Sequence, residues 1–152
     1  MSEEAQNQMQ FGIEAIYIRD VSFEAPHTLE PNKAEWKPEV KFELNTQARP
    51  LEEDRFEVIL KITVTVKQEK KVAFLLEVQQ AGIFTLKHFS DAQRGHMLGS
   101  FCPNMLYPYA RELVSNMASR GGYPPLYLAP VNFDALYQDH LKRMQENVET
   151  TA

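Results

Sequence analysis

The sequence has a single cysteine, no long hydrophobic run and no excess of basic residues. Cys102 is the only cysteine among 152 residues, so an intrachain disulfide is impossible, as is usual in a reducing cytosol. No stretch approaches the ~20 consecutive apolar residues of a membrane-spanning helix, and the first residues lack the basic start of a signal peptide. The formal net charge is -5, whereas proteins that bind nucleic acids or anionic membranes present basic surfaces. We therefore predict a cytoplasmic protein that binds no nucleic acid and does not insert into membranes.

The residues that would indicate catalysis, metal binding or nucleotide use are isolated. Cys102 and one of the four histidines could form a nucleophile and its base, but a small buried thiol before a helix explains this cysteine as well. His88 and His96 are eight residues apart, with no Cys-x-x-Cys nearby, so no metal site is predicted. Residues 95–99 lack the lysine of a phosphate-binding loop. We predict no enzyme and no cofactor. The alternative, a thioesterase-like enzyme, needs a carboxylate or histidine aimed into an apolar pocket.

Alternation of apolar and polar residues predicts four strands in the first half of the chain. The clearest covers 56–67, and the others cover 11–18, 40–44 and 72–79. The first of the four is apolar on both faces, which is typical of a strand covered on both sides. A polar turn at 68–71 makes the last three strands an antiparallel meander. The link between the first two strands contains Pro26, Pro31 and Pro38, so it is predicted to be a crossover loop.

Helical spacing dominates the second half. A short helical turn is predicted at 91–98, Asn104 is expected to cap a long helix that ends at Gly121-Gly122, and Asn132 is expected to cap the last helix. The fold class is therefore α+β, with a four-stranded antiparallel sheet followed by helices on one face. A single domain is predicted at 9–144, between a disordered arm at 1–8 and a flexible tail at 145–152.

Two apolar features need an explanation beyond an ordinary core. The long helix has a wide apolar stripe that includes Tyr107, and together with the two-faced first strand it favours pairing with a second subunit. The alternative is a helix that is well buried in a monomer. Trp36 lies in the crossover loop, and Tyr127 and Leu128 lie in a proline-rich extended segment. These side chains indicate an apolar groove, unless they only cover the core.

Six short runs, in order along 9–144, resemble the SecB family of bacterial protein-export chaperones. The runs are SFEAP at 22–26, WKPEV at 36–40, EVQQAGIF at 77–84, CPN at 102–104, YPYARE at 107–112 and LAPVNFD at 128–134. The resemblance implies a homotetramer, built as a dimer of dimers, without ATPase activity. It also implies binding of unfolded precursor proteins and their delivery to the translocase motor SecA. A SecB-like chaperone that serves another partner, such as an antitoxin, is the alternative.

The resemblance also implies which residues contact SecA. The matching positions are Asp20, Glu24, Leu75 and Glu77, and strand alternation independently puts Leu75 and Glu77 on the polar face of the fourth strand. We predict the groove for unfolded substrates between the crossover loop and the helical half. Its predicted lining consists of Trp36, Val40, Phe42, Tyr127, Leu128 and Phe133, of which the last two could instead belong to the core.

Overall fold

The sheet has four antiparallel strands, as predicted. A computed structural model describes residues 8–31 and 35–151. The strands are β1 (Gln10–Glu24), β2 (Glu39–Pro50), β3 (Arg55–Gln68) and β4 (Lys71–Lys87), in the order β1-β4-β3-β2. The meander of the last three strands is therefore confirmed. The crossover is confirmed as well, because β1 and β2 are consecutive in the chain but form opposite edges of the sheet.

Strand β1 is longer than the alternation predicted, because two bulges interrupt its register with β4. The register shifts between Ile13 and Ala15 and again between Ile18 and Asp20. Each bulge inserts one extra residue and reverses which face the following side chains occupy. A simple period of two already fails at the first bulge, because Ile13, Ile16 and Ile18 lie opposite Phe84, Gly82 and Gln80 and share one face. The prediction that the first strand is apolar on both faces is therefore wrong, and the strand continues to Glu24.

The second half of the chain is mainly helical from residue 91, as predicted, but the long helix begins earlier than predicted. Helix α1 (Asp91–His96) continues through a π-helical segment (Met97–Phe101) into helix α2 (Cys102–Arg120). Ser90 starts it with a capping box, in which the hydroxyl oxygen of Ser90 accepts from the Gln93 amide and the Gln93 side chain accepts from the Ser90 amide. The expectation that Asn104 caps the long helix is therefore wrong, because the backbone is already helical when it reaches that residue.

The other predicted helix ends are confirmed. Gly122 adopts a φ of 88°, and the Tyr123 amide donates to the Ala118 carbonyl over 3.0 Å, which is the Schellman arrangement that ends helices at glycine. Asn132 caps helix α3 (Phe133–Thr151) by accepting from the Ala135 amide over 3.0 Å. Helix α3 also includes residues 145–151, where a flexible tail was predicted. The predicted arm at 1–8 lies outside the described residues apart from Gln8.

The core lies between helix α2 and the inner face of the two central strands, where inner denotes the side on which the helices pack. Helix α2 contacts β4 and β3, and the side chains that meet there are almost completely buried. They include Leu60, Ile62, Val64, Phe74, Leu76, Val78, Leu106, Ala110 and Val114. Each Å² of apolar surface that is buried stabilises the fold by roughly 25 cal/mol, so this layer makes the main stabilising contribution.

Candidate functional site

The inner face of the sheet is covered at its centre and only partly covered at both edges. On β1, Ile13 and Ile18 lie opposite Phe84 and Gln80 of β4, on the same face as the core, yet Ile18 is 51% exposed. Phe11 packs edge-on against Phe101 at a ring-centroid distance of 5.4 Å, and both rings remain partly exposed. This edge therefore presents an apolar surface beside the π-helical segment.

The β2 edge is uncovered in a different way, because it borders a cavity. Val40 and Phe42 lie opposite Val66 and Val64 on the inner face, and Val40 is 42% exposed. Further along β2, a cavity of about 480 Å³ separates residues 44–48 from helix α3 and is lined there by Phe133, Leu136 and Tyr137, among others. An extended apolar segment could occupy such a concave surface.

A larger groove lies at the crossover loop. It has a volume of about 940 Å³ and is lined by residues 27–31, Trp36, the β3–β4 turn and Tyr123, among others. The Trp36 ring lies 5.5 Å from the Tyr123 ring, measured between centroids. This groove lies between the crossover loop and the helical half, the region in which the sequence predicts the substrate groove.

The six predicted lining residues lie at four different places in the structure. Trp36 lines the groove at the crossover loop, and Val40 and Phe42 are exposed on β2. Tyr127 is 78% exposed. Leu128 and Phe133 are buried in the core cluster, as the alternative interpretation has it, and Phe133 also borders the cavity beside β2. An apolar residue in sequence does not reveal whether it fills a core or lines a surface groove.

The outer face of the sheet, opposite the helices, brings the four predicted SecA-contact residues together. Glu24 lies opposite Leu75, and Asp20 lies opposite Gln79, so the side chains of these pairs point to one face. Glu77 follows Leu75 by two positions on β4 and shares that face. We call Asp20, Glu24, Leu75 and Glu77 the docking patch. Contrary to the sequence prediction, Asp20 and Glu24 belong to β1 itself instead of following it.

Sequence reasoning missed a charged group next to this patch. The side chain of Glu57 on β3 is only 7% exposed, and its carboxylate accepts hydrogen bonds from Tyr17, from Arg19 over 2.9 Å and from Arg49 over 3.0 Å. We call these four residues the Glu57 cluster. Hydrogen bonding from Tyr17, assisted by the two guanidinium groups, lowers the pKa of Glu57 although burial opposes this shift. Burial, and then the bond to Glu57, raises the pKa of Tyr17 to about 12.

Cys102 and the pair of Ser100 and His96 are not arranged as activated nucleophiles. Burial raises the pKa of Cys102 to about 12, so its thiol is a poor nucleophile. Ser100 donates to Asp134, and the His96 ring bonds the same carboxylate over 2.8 Å, so the histidine is not placed as a base for the serine. Among the described residues, no cluster of histidine, cysteine and carboxylate side chains could hold a metal ion. No helix in the described ranges is long and apolar enough to cross a membrane.

Comparison with known proteins identifies the family. The family model described as preprotein translocase subunit SecB matches residues 4–144. The chain belongs to the SecB family. The protein-export protein SecB of Pseudomonas syringae pv. tomato is 54% identical over 145 residues, which cover 95% of this chain and 88% of that protein. The SecB protein of Methylococcus capsulatus is 47% identical over 150 residues, which cover 98% of this chain and 97% of that protein.

A solved structure has the same fold at much lower identity. It is a SecB-like chaperone of Mycobacterium tuberculosis in complex with a ChAD peptide from the HigA1 antitoxin, with a TM-score of 0.62 and 20% identity. The match covers 80% of this chain and 90% of that one. The resemblance and the α+β fold predicted from the sequence are both confirmed. Membership of the SecB family puts the protein among protein-export chaperones, which are not a family of enzymes.

Proposed function

We propose that the protein holds unfolded precursor proteins in a translocation-competent state, without ATP, and delivers them to SecA in the cytoplasm. The observation that carries this proposal is the uncovered apolar surface along both edges of the sheet, on a chain of the SecB family. A monomeric soluble protein rarely leaves so many large apolar side chains exposed without a partner for them.

Substrate holding is assigned to the grooves beside β2 and the crossover loop. Their apolar lining includes Trp36 at the crossover loop and Leu136 and Tyr137 on the α3 side. Val40 and Phe42 add exposed apolar surface on β2. An unfolded chain has no unique shape, so several weak apolar subsites must act together and gain avidity from being on one assembly. This mechanism needs no nucleotide.

Four copies are proposed to assemble as a dimer of dimers. The apolar strip on β1, formed by Phe11, Ile13 and Ile18, supports this assembly because it is exposed on an edge strand. Phe101 packs beside this strip and is itself exposed, and Tyr109 is exposed on helix α2. A second copy that covers this strip would remove apolar area from water and satisfy the strand edge.

Delivery is assigned to the docking patch on the outer face. Three carboxylates around Leu75 would steer a basic segment of SecA, and the half-buried leucine would serve as its apolar anchor. Holding and delivery therefore use opposite faces of one sheet, so a precursor and SecA could bind at the same time.

Two single substitutions test this division of labour. Glu77→Lys or Leu75→Gln should weaken SecA binding at least tenfold, because each removes a charge or the anchor from the patch. Both variants should still suppress aggregation of a refolding test protein without ATP and should keep the tetramer mass. Loss of aggregation suppression with intact SecA binding would reverse the assignment of the two faces.

Trp36 allows a separate test of the substrate groove, because it is the only tryptophan. An unfolded substrate without tryptophan should shift its emission when it enters the groove at the crossover loop. Phe42→Ala should weaken substrate binding with little change in SecA affinity. An unchanged emission spectrum at saturating substrate would exclude this groove.

A further inference from the structure

We propose that Arg19 and Glu57 are positioning residues, which hold Asp20 and Glu24 on the outer face so that the docking patch exists. The inference rests on the proposed role of that patch in SecA binding. It gives a structural role to the Glu57 cluster, whose buried carboxylate is not one of the docking-patch residues.

The register of β1 decides which face Asp20 and Glu24 occupy. Tyr17 lies opposite Ala81 on the outer face and Ile18 lies opposite Gln80 on the inner face, while Asp20 lies opposite Gln79. Arg19 is therefore the extra residue of a bulge. If Arg19 took a regular place in the strand, alternation would turn Asp20 to the inner face, and Glu24 with it. The bulge decides whether two of the three patch carboxylates face the partner.

A bulged residue is unpaired in the ladder, and its side chain can hold it in place. Arg19 does so through its 2.9 Å bond to Glu57, which lies on β3, beyond the intervening strand β4. Tyr17 crosses β4 to the same carboxylate, and the residue opposite Tyr17 on β4 is the small Ala81. Glu57 thus fixes the residues on both sides of Ile18, where the register shifts.

The other bulge of β1 is anchored in the same manner. Its extra residue, Glu14, accepts from Arg55 of β3 over 2.7 Å and from Thr85 of β4 over 2.9 Å. Arg55 and Glu57 are two positions apart on β3 and share the outer face. In both bulges of β1, the extra residue therefore forms an ion pair with β3. The extra residue is the acid, Glu14, in one bulge and the base, Arg19, in the other.

Removal of Arg19 distinguishes a positioning role from a purely electrostatic effect, because the two predict opposite changes in SecA affinity. Arg19 is a cation beside an acidic patch, so its removal alone should strengthen the binding of a basic partner. If Arg19 holds the bulge, its removal should weaken that binding instead. Arg19→Ala should therefore lower SecA affinity by about fivefold to tenfold, with an unchanged tetramer mass and circular dichroism spectrum.

The chain offers a matched control and a rescue. Arg49 also donates to Glu57, over 3.0 Å, but it lies on β2 and does not touch the bulge. Arg49→Ala removes the same charge from the same carboxylate and should leave SecA affinity unchanged or slightly higher. Arg19→Lys keeps a cation within reach of Glu57 and should restore most of the binding.

A cross-link reports the register without any partner. Ser22 and Glu77 lie directly opposite each other only in the bulged register, so cysteines at these two positions should form a disulfide under mild oxidation. Cys102 is buried, with a pKa of about 12, and should not compete. Adding Arg19→Ala should lower the cross-link yield, measured by non-reducing peptide mapping, and adding Arg49→Ala should not.

The outcomes distinguish this inference from the function on which it rests. Unchanged or tighter SecA binding by Arg19→Ala would overturn the positioning role, even if Glu77→Lys shows that the patch binds SecA. Weaker binding with an unchanged cross-link would also overturn it, because Arg19 would then contact SecA directly. If the unmodified and Glu77→Lys proteins bind SecA equally, the docking function fails, and the cross-link alone decides whether Arg19 holds the register.

Discussion

The two edge strands expose apolar side chains on the same face of the sheet, but their surroundings differ. On β1, residues 10–18 contain a single charged residue, Glu14, and the exposed isoleucines form a strip beside aromatic side chains. Strand β2 carries Glu39, Lys41, Glu43 and Arg49 and ends at Pro50, features that discourage pairing with another strand. Its exposed apolar residues continue into cavities. Similar exposure thus suits a second copy of the chain on β1 and an extended substrate on β2.

The largest effect on this comparison between the edges is expected when a charge is placed on the β1 strip, because it should change the mass of the assembly. Ile13→Asp buries a carboxylate in the proposed interface, which is strongly unfavourable without a partner. Static light scattering at micromolar concentration should give about four times 17.5 kDa for the unmodified protein and a smaller mass for this variant.

Val40→Asp is the matched control on the other edge, because it puts the same carboxylate in place of a β-branched aliphatic residue of similar exposure. It should keep the tetramer mass and weaken substrate holding. If both variants dissociate, or neither does, the proposed difference between the two edges is wrong.

Substitutions in the covered centre of the sheet should change the stability of the protein. Leu106 is completely buried between α2 and the central strands, so Leu106→Ala should lower the free energy of unfolding by ~2–5 kcal/mol. Leu136→Ala, at a half-exposed position of α3, should change it by less than ~1 kcal/mol. Denaturant unfolding must be measured at one fixed protein concentration, because assembly contributes to the apparent stability. Equal losses for the two variants would contradict the distinction between covered and uncovered apolar residues.

A smaller effect is expected where α3 closes the cavity beside β2. A Cβ added at Gly99 would lie 2.5 Å from the Tyr137 ring, so Gly99→Ala should push α3 away and cost ~1–3 kcal/mol. Gly12→Ala, whose added Cβ would lie 3.9 Å from the Thr85 side chain, is the control on the other edge and should be close to neutral. Thermal unfolding compares the two, and equal melting temperatures would show that α3 is loosely attached.

The sequence predicted those parts of the fold that depend on local chemistry. Alternation located all four strands, and Asn132 and Gly122 marked helix ends because capping and positive φ are local requirements. The bulge at Arg19 was missed, since it is stabilised by Glu57, a residue 38 positions away. The start of the long helix was also missed, because a π-helical segment joins two stretches that look separate in sequence.

The candidate site was predictable to a similar degree. Leu75 and Glu77 could be paired by alternation along one strand. The orientation of Asp20 and Glu24 depends on the bulge and therefore on a contact between strands. Leu128 and Phe133 could not be assigned to groove or core, because burial is a property of the packed structure and not of the residue type.

The smallest effect concerns acid stability and sharpens the comparison between the edges, because Glu57 links β1 to β2 through Tyr17 and Arg49. The folded-state pKa of Glu57 lies below its usual value of 4.5. Its contribution to stability is therefore present above about pH 4.5 and is lost as the pH falls through the lowered pKa. Tyr17→Phe removes the largest cause of this shift and should cost about 1 kcal/mol at pH 7.

The difference between the unmodified protein and Tyr17→Phe should shrink in acid, because a protonated Glu57 no longer benefits from the charge-assisted bond. Urea unfolding at a series of pH values between 7 and 3 measures this difference. Tyr127→Phe, at a highly exposed tyrosine, is the control and should leave the profile unchanged. If the loss caused by Tyr17→Phe were constant across this range, the Tyr17 hydroxyl would act by packing alone. The coupling between the edge strands would then depend on the two arginines.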